Sequence, residues 1–115
     1  MRTVDIRYTL LLDYYGALLP LKQQELAKLY HYDDLSLSEI ADTLGITRQG
    51  VLDGLERAEK KLREYDEALG LIERDRELAK NASEIKKCAE ALLSGNDRGL
   101  CERIIAVCDK ISLKG

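Results

Sequence analysis

Apolar residues recur along most of this chain at spacings of three and four, the period of one face of an α-helix. In the middle of the chain this pattern predicts two successive helices, one on either side of Gly45. The first apolar face comprises Leu37, Ile40, Ala41 and Leu44, and the second comprises Val51, Leu55, Ala58 and Leu62. Two short faces around a turn glycine fit a helix-turn-helix, in which the helices pack closely across a turn of about three to four residues.

Polar residues at the helix ends support this motif. Ser36 and Glu39 have the spacing of a capping box, so the first helix should begin directly after Ser36. Gly45 occupies the position where a left-handed residue ends a helix, and Ile46 after it should continue the apolar set. Thr47 should cap the second helix, which begins at Arg48. The alternative is a helical hairpin that packs without binding anything, because a short motif by itself is a hypothesis.

The rest of the chain is also predicted to be helical. Further helices are expected over residues 4–18, 21–31, 71–93 and 98–112 (the last beginning at Asp97 or Arg98), and the second motif helix should continue to residue 69. The residues expected to be buried in these four helices are Val4, Tyr8, Leu11, Tyr15 and Leu18; Leu26, Leu29 and Tyr30; Leu71, Leu78, Ala82, Ile85, Ala89 and Leu92; and Leu100, Ile104, Val107 and Ile111. We therefore predict one all-α domain over 1–115 with about six helices. Residues 1–69 form the helix-turn-helix part, and 70–115 form an antiparallel helical extension.

The longest apolar seam runs through the second motif helix and beyond it. Its residues are Val51, Leu55, Ala58, Leu62, Tyr65, Leu69 and Ile72, at alternating spacings of four and three. Such heptad seams pack helices either within one chain or between two copies. A homodimer through these seams is therefore one expectation, and Gly70 should end or bend the helix.

Composition restricts the compartment and the chemistry. Hydrophobic residues make up 45% of the 115 residues and charged ones 34%, values typical of a soluble, helix-rich protein. No apolar run approaches the roughly 18 residues of a membrane span, and the N-terminus lacks signal-peptide features, so we expect a cytoplasmic protein without membrane insertion. Three cysteines fit a reducing compartment, where they act as small hydrophobic residues. With one histidine and no Cys-x-x-Cys pair, neither a metal site nor a cofactor is predicted.

The candidate contact residues lie on the second motif helix. Arg48 and Gln49 are chemically able to read guanine and adenine edges, respectively. The helix N-terminus should also attract phosphate. Lys60 and Lys61 could add contacts further along. The complete predicted nucleic-acid-binding set is Thr47, Arg48, Gln49, Arg57, Lys60 and Lys61.

Two features argue against simple duplex binding. Residues 36–65 contain five basic and six acidic side chains, and the whole chain has a net charge of −3. Gly50 and Gly54 also provide no side chain where a reading helix often carries longer polar ones. They indicate either a close approach to the backbone of an RNA or a partner helix, or glycines that are merely tolerated at the surface.

The runs LYHYDDLSLSEIA, GITRQGV and ERAEKKLREYD closely resemble the YlxM family, and the resemblance extends over roughly residues 4–94. Members are small bacterial proteins usually encoded beside components of the signal recognition particle, and the family looks like the DNA-reading fourth region of sigma factors. The resemblance implies an all-helical, cytoplasmic protein with a regulatory role in co-translational protein targeting. In the sigma-like arrangement that it implies, the residues pointing outward from the second motif helix would be Thr47, Arg48, Gln49, Asp53 and Arg57. The resemblance brings no catalytic motif, so an enzyme is not expected.

Two classes of function follow. One is a nucleic-acid-binding regulator, and the other is a protein-interaction module that contacts the signal recognition particle, its RNA or its receptor. The register of the helix-turn-helix favours the first class, whereas the charge balance and the paired glycines favour the second. A sequence-specific DNA-binding transcriptional regulator is the alternative within the first class.

Overall fold

Six α-helices contain most of the residues that the computed structural model describes, 6–95 and 98–114, and no strand occurs among them. They are α1 (Ile6–Tyr15), α2 (Leu21–Ala27), α3 (Leu37–Leu44), α4 (Arg48–Leu69), α5 (Leu71–Ser94) and α6 (Arg98–Lys114). A 3-10 turn, Gly16–Leu18, follows α1, and a π-helical turn, Lys28–Tyr32, extends α2. The all-α prediction is confirmed. Val4 and Asp97, which entered two helix predictions, lie outside the described residues.

The predicted caps of α3 and α4 are present. The Ser36 hydroxyl oxygen accepts a hydrogen bond from the Glu39 N–H at 3.1 Å, and the Ser36 N–H donates to Glu39 Oε1 at 3.0 Å. Gly45 ends α3 with a φ of 68°, which a glycine adopts without a Cβ penalty. Thr47 Oγ1 accepts from the Gly50 N–H at 2.9 Å. These short-range bonds confirm the boundaries of the helix-turn-helix.

The chain divides after Ile72 into two compact units. In the first unit the core contains two clusters of buried side chains. One joins α1 and α2 to the middle of α4, through Tyr8, Leu11, Leu12, Tyr15, Leu19, Ala27, Ala58 and Leu62. The other is the core of the helix-turn-helix, through Leu26, Ile40, Ala41, Val51 and Leu55. The predicted buried faces of α3 and α4 are therefore confirmed.

Tyrosine hydroxyls add specific bonds to this packing. The Tyr15 hydroxyl donates to Asp66 Oδ1 at 2.7 Å and accepts from the Leu71 N–H at 3.0 Å. The Tyr8 hydroxyl donates to the Leu55 carbonyl at 3.1 Å. Together these bonds tie α1 to the middle and the end of α4 and to the start of α5.

Some predicted positions in this unit are wrong. The first helix stops at Tyr15, and the tighter 3-10 turn changes the register, so Leu18 is 55% exposed while Leu19 is buried. Ile46 does not continue the buried face of the motif, since it lies in the turn and is 43% exposed. Leu69, predicted within the α4 seam, is 54% exposed because Gly70 ends the helix there with a φ of 60°.

The second unit contains the rest of α5 and α6. Among its described residues the buried side chains are Asn81, Cys88 and Val107. The α6 prediction holds for Val107, with Leu100, Ile104 and Ile111 half-buried.

The α5 prediction is wrong in its rotation, because Leu78, Ala82 and Ala89 are exposed. Ile85 and Leu92 belong both to the predicted buried face of α5 and to the face that is buried in the structure. The spacing of apolar residues alone therefore does not show which of the two faces is buried. The cysteine prediction holds for Cys88, but Cys101 and Cys108 are exposed. No helix within the described part of the chain is long and apolar enough to cross a membrane.

Candidate nucleic-acid interface

The recognition helix α4 has one face in the core and the opposite face in solvent. Val51, Leu55, Ala58 and Leu62 are its buried residues. Since successive residues of an α-helix are rotated by about 100°, the opposite face carries Gln49, Asp53, Glu56, Arg57 and Lys60. Apart from Asp53, which is half-buried, these side chains are exposed.

The first turn of α4 is the part best suited to contact a phosphate. Thr47, Arg48 and Gln49 are all exposed. The first N–H groups of a helix have no partner within it, and here Thr47 Oγ1 satisfies the N–H of Gly50. By the same rule the N–H groups of Arg48 and Gln49 have no acceptor within the helix, and they belong to the same first turn as the exposed Arg48 side chain. The Thr47 hydroxyl, predicted as a contact, is also the cap of the helix.

The acidic residue Asp53 occupies the face next to this turn. The Gln49 side-chain amide donates to Asp53 Oδ1 at 2.9 Å, one helical turn further along. An adenine edge would have to replace this bond before Gln49 could read it. The hydrogen-bonded pair thus limits the contribution of Gln49 to binding.

The three other predicted contacts do not form one patch. Arg57 and Lys60 line a shallow depression together with Asp53 and Glu56. Lys61 is half-buried and lies on the flank of α4 that also carries Gly54. Arg48 lies on the other flank. The structure therefore places Arg57 and Lys60 next to each other, with Gln49 on the same face more than two turns earlier. Arg48 and Lys61 lie on opposite sides of that face.

Comparison with known sequences identifies this scaffold. A model of the UPF0122 family, described as "Putative helix-turn-helix protein, YlxM / p13 like", matches residues 3–95. The chain belongs to the UPF0122 family. The matched segment contains the helix-turn-helix and all of α5, whereas α6 lies beyond it.

Several curated UPF0122 proteins are similar to this chain. One from Caldanaerobacter subterraneus subsp. tengcongensis is 50% identical over 80 residues, which cover 70% of this chain and 68% of the relative. One from Desulforamulus reducens is 43% identical over 89 residues, covering 77% and 76%. One from Bacillus cereus is 40% identical over 81 residues, covering 70% and 74%. Their names give the family and no ligand.

In this UPF0122 protein Gly54 is explained by packing within the chain. A Cβ on Gly54 would collide with Leu26 Cδ1, and Leu26 is a buried residue of α2. Neither earlier explanation of this glycine is right, because the close neighbour is a core side chain and not a ligand backbone. Gly50 lies beside the helix cap, with Thr47 Oγ1 3.1 Å from the position of an added Cβ. The paired glycines therefore no longer favour a protein partner.

Some basic side chains on α4 of this UPF0122 protein are paired with a carboxylate and others are not. Arg63 Nη2 lies 2.6 Å from Glu59 Oε1, so this guanidinium is paired. The side chains of three other cations, Arg48, Arg57 and Lys60, form no ion pair or hydrogen bond with any residue that the structure describes. The unpaired cations are the groups available to a phosphate, although Asp53 and Glu56 lie between them on the solvent face.

The segments before the helix-turn-helix are joined by side-chain hydrogen bonds that the sequence did not indicate. The Tyr32 hydroxyl donates to Asp13 Oδ1. The Gln24 side-chain amide donates to the carbonyls of Leu19 at 2.7 Å and Ala17 at 3.2 Å. These pairs are 5 to 19 residues apart in sequence, so no local pattern predicts them. Within the described residues no group of three His, Cys, Asp or Glu side chains is arranged to hold a metal ion.

Proposed function

We propose that this UPF0122 protein is a non-catalytic helix-turn-helix module that binds nucleic acid through the first turn of α4. The observation that carries the proposal is the exposed, unpaired Arg48 side chain in the first turn of a helix that Thr47 caps. Helix N-termini attract phosphate because the free N–H groups and the helix dipole act together. No catalytic residue is assigned to this surface.

The preferred ligand is a folded RNA rather than a random DNA duplex. Asp53 and Glu56 lie on the solvent face of α4, so a long continuous phosphate backbone would meet two carboxylates along with Arg57 and Lys60. A folded RNA can present phosphates to the first turn alone and keep the acidic part of the helix free. For random duplex DNA we expect weak, salt-sensitive binding with a Kd of roughly 10⁻⁴–10⁻⁶ M.

We further propose that the RNA is that of the signal recognition particle, and that the protein regulates co-translational targeting in the cytoplasm. This step rests on the resemblance of LYHYDDLSLSEIA and GITRQGV to the YlxM family. The protein components of the particle and its receptor are the corresponding protein partners. Fold alone does not decide between these ligands, because one scaffold supports several functions.

A sequence-specific DNA-binding regulator is the second candidate. Arg48 and Gln49 are both exposed at the start of α4, where the recognition helix of a helix-turn-helix contacts base edges. The Gln49–Asp53 hydrogen bond opposes adenine reading, so this candidate depends mainly on Arg48.

A direct titration separates these functions. The wild-type protein, Arg48→Ala and Arg74→Ala are each titrated with labelled signal recognition particle RNA and with a random duplex. The titrations are made at physiological salt and repeated over a series of salt concentrations. Arg74 is an exposed arginine outside α4 and outside the proposed contact set, so Arg74→Ala removes the same charge without removing a proposed contact. We expect RNA to bind at least about tenfold more tightly than duplex, and Arg48→Ala to weaken RNA binding by about tenfold while reducing the salt slope by about 1.

Three results would contradict the proposal or redirect it. Absence of RNA binding would reject it, as would equal losses for Arg48→Ala and Arg74→Ala. Tight, sequence-selective duplex binding abolished by Arg48→Ala would support the transcriptional regulator instead. Capture from a lysate with and without nuclease tests the remaining class, because a protein partner that is retained after nuclease treatment would indicate direct protein contact.

A further inference from the structure

The second unit exposes an apolar flank on α5. Asn81 and Cys88 mark the buried side of this helix. Helical periodicity places the flank about 60–120° around the axis from that side. At its outer border lie the charged residues Asp75 and Lys86. Its apolar residues are Leu78, Ala82, Ala89 and Leu93. All four are exposed, and Leu93 is 90% exposed.

A matching flank lies on α6. Val107 marks the buried side of this helix, and Cys101 and Cys108 are exposed on the flank next to it. Ile105, 59% exposed, lies at its outer border. These side chains are apolar or weakly polar, so the flank of α6 resembles that of α5 in character.

The two flanks lie on the same side of the helix pair. The connection between α5 and α6 is short, so the helices run antiparallel. Arg103 Nη2 lies 3.5 Å from Glu84 Oε1 and marks one edge between the two helices. In an antiparallel pair of right-handed helices, the apolar flank of α5 and the flank of α6 that carries the cysteines both lie on the edge opposite this ion pair. Together they form one surface, the hairpin face: Leu78, Ala82, Ala89, Leu93, Cys101 and Cys108.

We propose that the hairpin face packs against the same face of a second copy of this chain, forming a two-fold dimer. The three buried side chains described in this unit, Asn81, Cys88 and Val107, make a small core for two helices. A unit of this size ordinarily needs further apolar contact to be stable. The hairpin face is the apolar surface that such a contact would cover.

The area of the face meets the requirement of a dimer. From Leu78 to Leu93 α5 extends about 24 Å, and two adjacent helices are about 20 Å wide. One copy therefore offers on the order of 500 Å² in projection, and two copies bury on the order of 1,000 Å², about the lower limit for a specific interface. Both contributions come from the same patch, as a two-fold interface requires.

The order of side-chain sizes identifies the partner as a second copy. Along α5 the face reads large, small, small, large, with spacings of four, seven and four residues. This pattern is the same in both directions. An antiparallel two-fold pairing places Leu78 opposite Leu93 of the second copy and Ala82 opposite Ala89 of the second copy. The alanines at the centre allow close approach of the helices, and the leucines close the two ends.

The first experiment measures mass by sedimentation velocity over a range of protein concentrations, without nucleic acid, so its result is independent of the proposed function. The wild-type chain should dimerise. Ala82→Glu combined with Ala89→Glu should raise the dimer Kd at least about tenfold, because unpaired carboxylates would be buried. The matched control is Ala91→Glu, since Ala91 is exposed on the opposite flank of α5 and should leave the mass unchanged.

The second readout is thiol reactivity. In the dimer Cys101 and Cys108 are covered, so their reaction with a thiol reagent should slow as protein concentration rises, whereas the glutamate variant should react fast throughout. Cys88 is buried in the monomer and should react slowly in both proteins. If the glutamate variant loses helical circular dichroism, Leu93→Lys serves instead, because this side chain is 90% exposed. A chain that stays monomeric, or a dimer that survives these substitutions, would overturn the proposal.

Discussion

The terminal methyl of Leu26 occupies the space beside Gly54 where a Cβ would otherwise lie. This contact lets α2 approach α4 closely at the centre of the helix-turn-helix core, where Leu26 packs with Ile40, Val51 and Leu55. Gly54 is therefore a packing residue on a helix whose other side is available to a ligand.

The first prediction concerns this glycine. Gly54→Ala should destabilise the protein by about 1 kcal/mol, because overpacking costs about 1–3 kcal/mol while alanine gains about 1 kcal/mol in helix propensity. Gly50→Ala is the matched control and should be neutral or stabilising, since its added Cβ meets only the Thr47 side chain as a tight neighbour. Urea melts of both variants measure the difference. Equal stability of the two variants would show that the contact with Leu26 does not constrain the core.

The second prediction concerns the buried face of α4. Leu55 is 7% exposed and belongs to the helix-turn-helix core, so Leu55→Ala should cost about 2–5 kcal/mol. Leu52→Ala is the control at an exposed position three residues earlier, 36% exposed, and should cost much less. A loss below about 1 kcal/mol for Leu55→Ala in urea melts would contradict the assigned core.

The third prediction concerns the buried hydroxyl of Tyr15. Tyr15→Phe removes the bonds to Asp66 and Leu71 and should cost about 1–3 kcal/mol at neutral pH. Tyr65→Phe, which loses an exposed bond to the Leu18 carbonyl at 3.2 Å, should cost less. Thermal or urea unfolding compares them. Similar losses in the free energy of unfolding for the two variants would show that the Tyr15 hydrogen bonds stabilise the protein no more than the exposed bond of Tyr65.

The same hydroxyl predicts an alkaline dependence of stability. Burial, and next the hydrogen bond to Asp66, raise the pKa of Tyr15 above its ordinary value of 10.0. The native state therefore keeps this proton at a pH where the unfolded chain has lost it, so the free energy of unfolding should fall as pH rises above about 10. Tyr15→Phe should fall less steeply in that range. Parallel pH profiles for both proteins would contradict this assignment.

The fourth prediction concerns the cysteines. Cys101 and Cys108 are exposed, and Cys88 is buried and free. In the reducing compartment expected for this chain they should not be bridged. Replacing both exposed cysteines, Cys101→Ser with Cys108→Ser, should therefore leave the native and non-reducing masses unchanged. Loss of a covalent dimer in this variant, or stoichiometric zinc in the protein purified without added metal, would contradict the prediction.

The sequence by itself determined which segments are helical and where α3 and α4 begin and end. The Ser36–Glu39 box, Gly45, Thr47 and Gly70 act on backbone groups within four residues, so their partners can be identified along the chain. The buried faces of α3 and α4 were also predictable, because each is a single apolar stripe with polar residues on the other side. For the candidate site, the resemblance to the sigma-like arrangement predicted that Thr47, Arg48 and Gln49 point outward, and all three are exposed.

Only the tertiary structure decided relationships between distant segments. The fit of Leu26 against Gly54 and the bonds of Tyr15 to Asp66 and Leu71 join residues 28 to 56 positions apart, and no local spacing encodes them. The rotation of α5 was ambiguous because two apolar faces share Ile85 and Leu92. The contacts in the folded protein select the side with Asn81 and Cys88 and leave Leu78, Ala82 and Ala89 exposed. Helical periodicity states which residues share a side, whereas packing against other helices decides which side is buried.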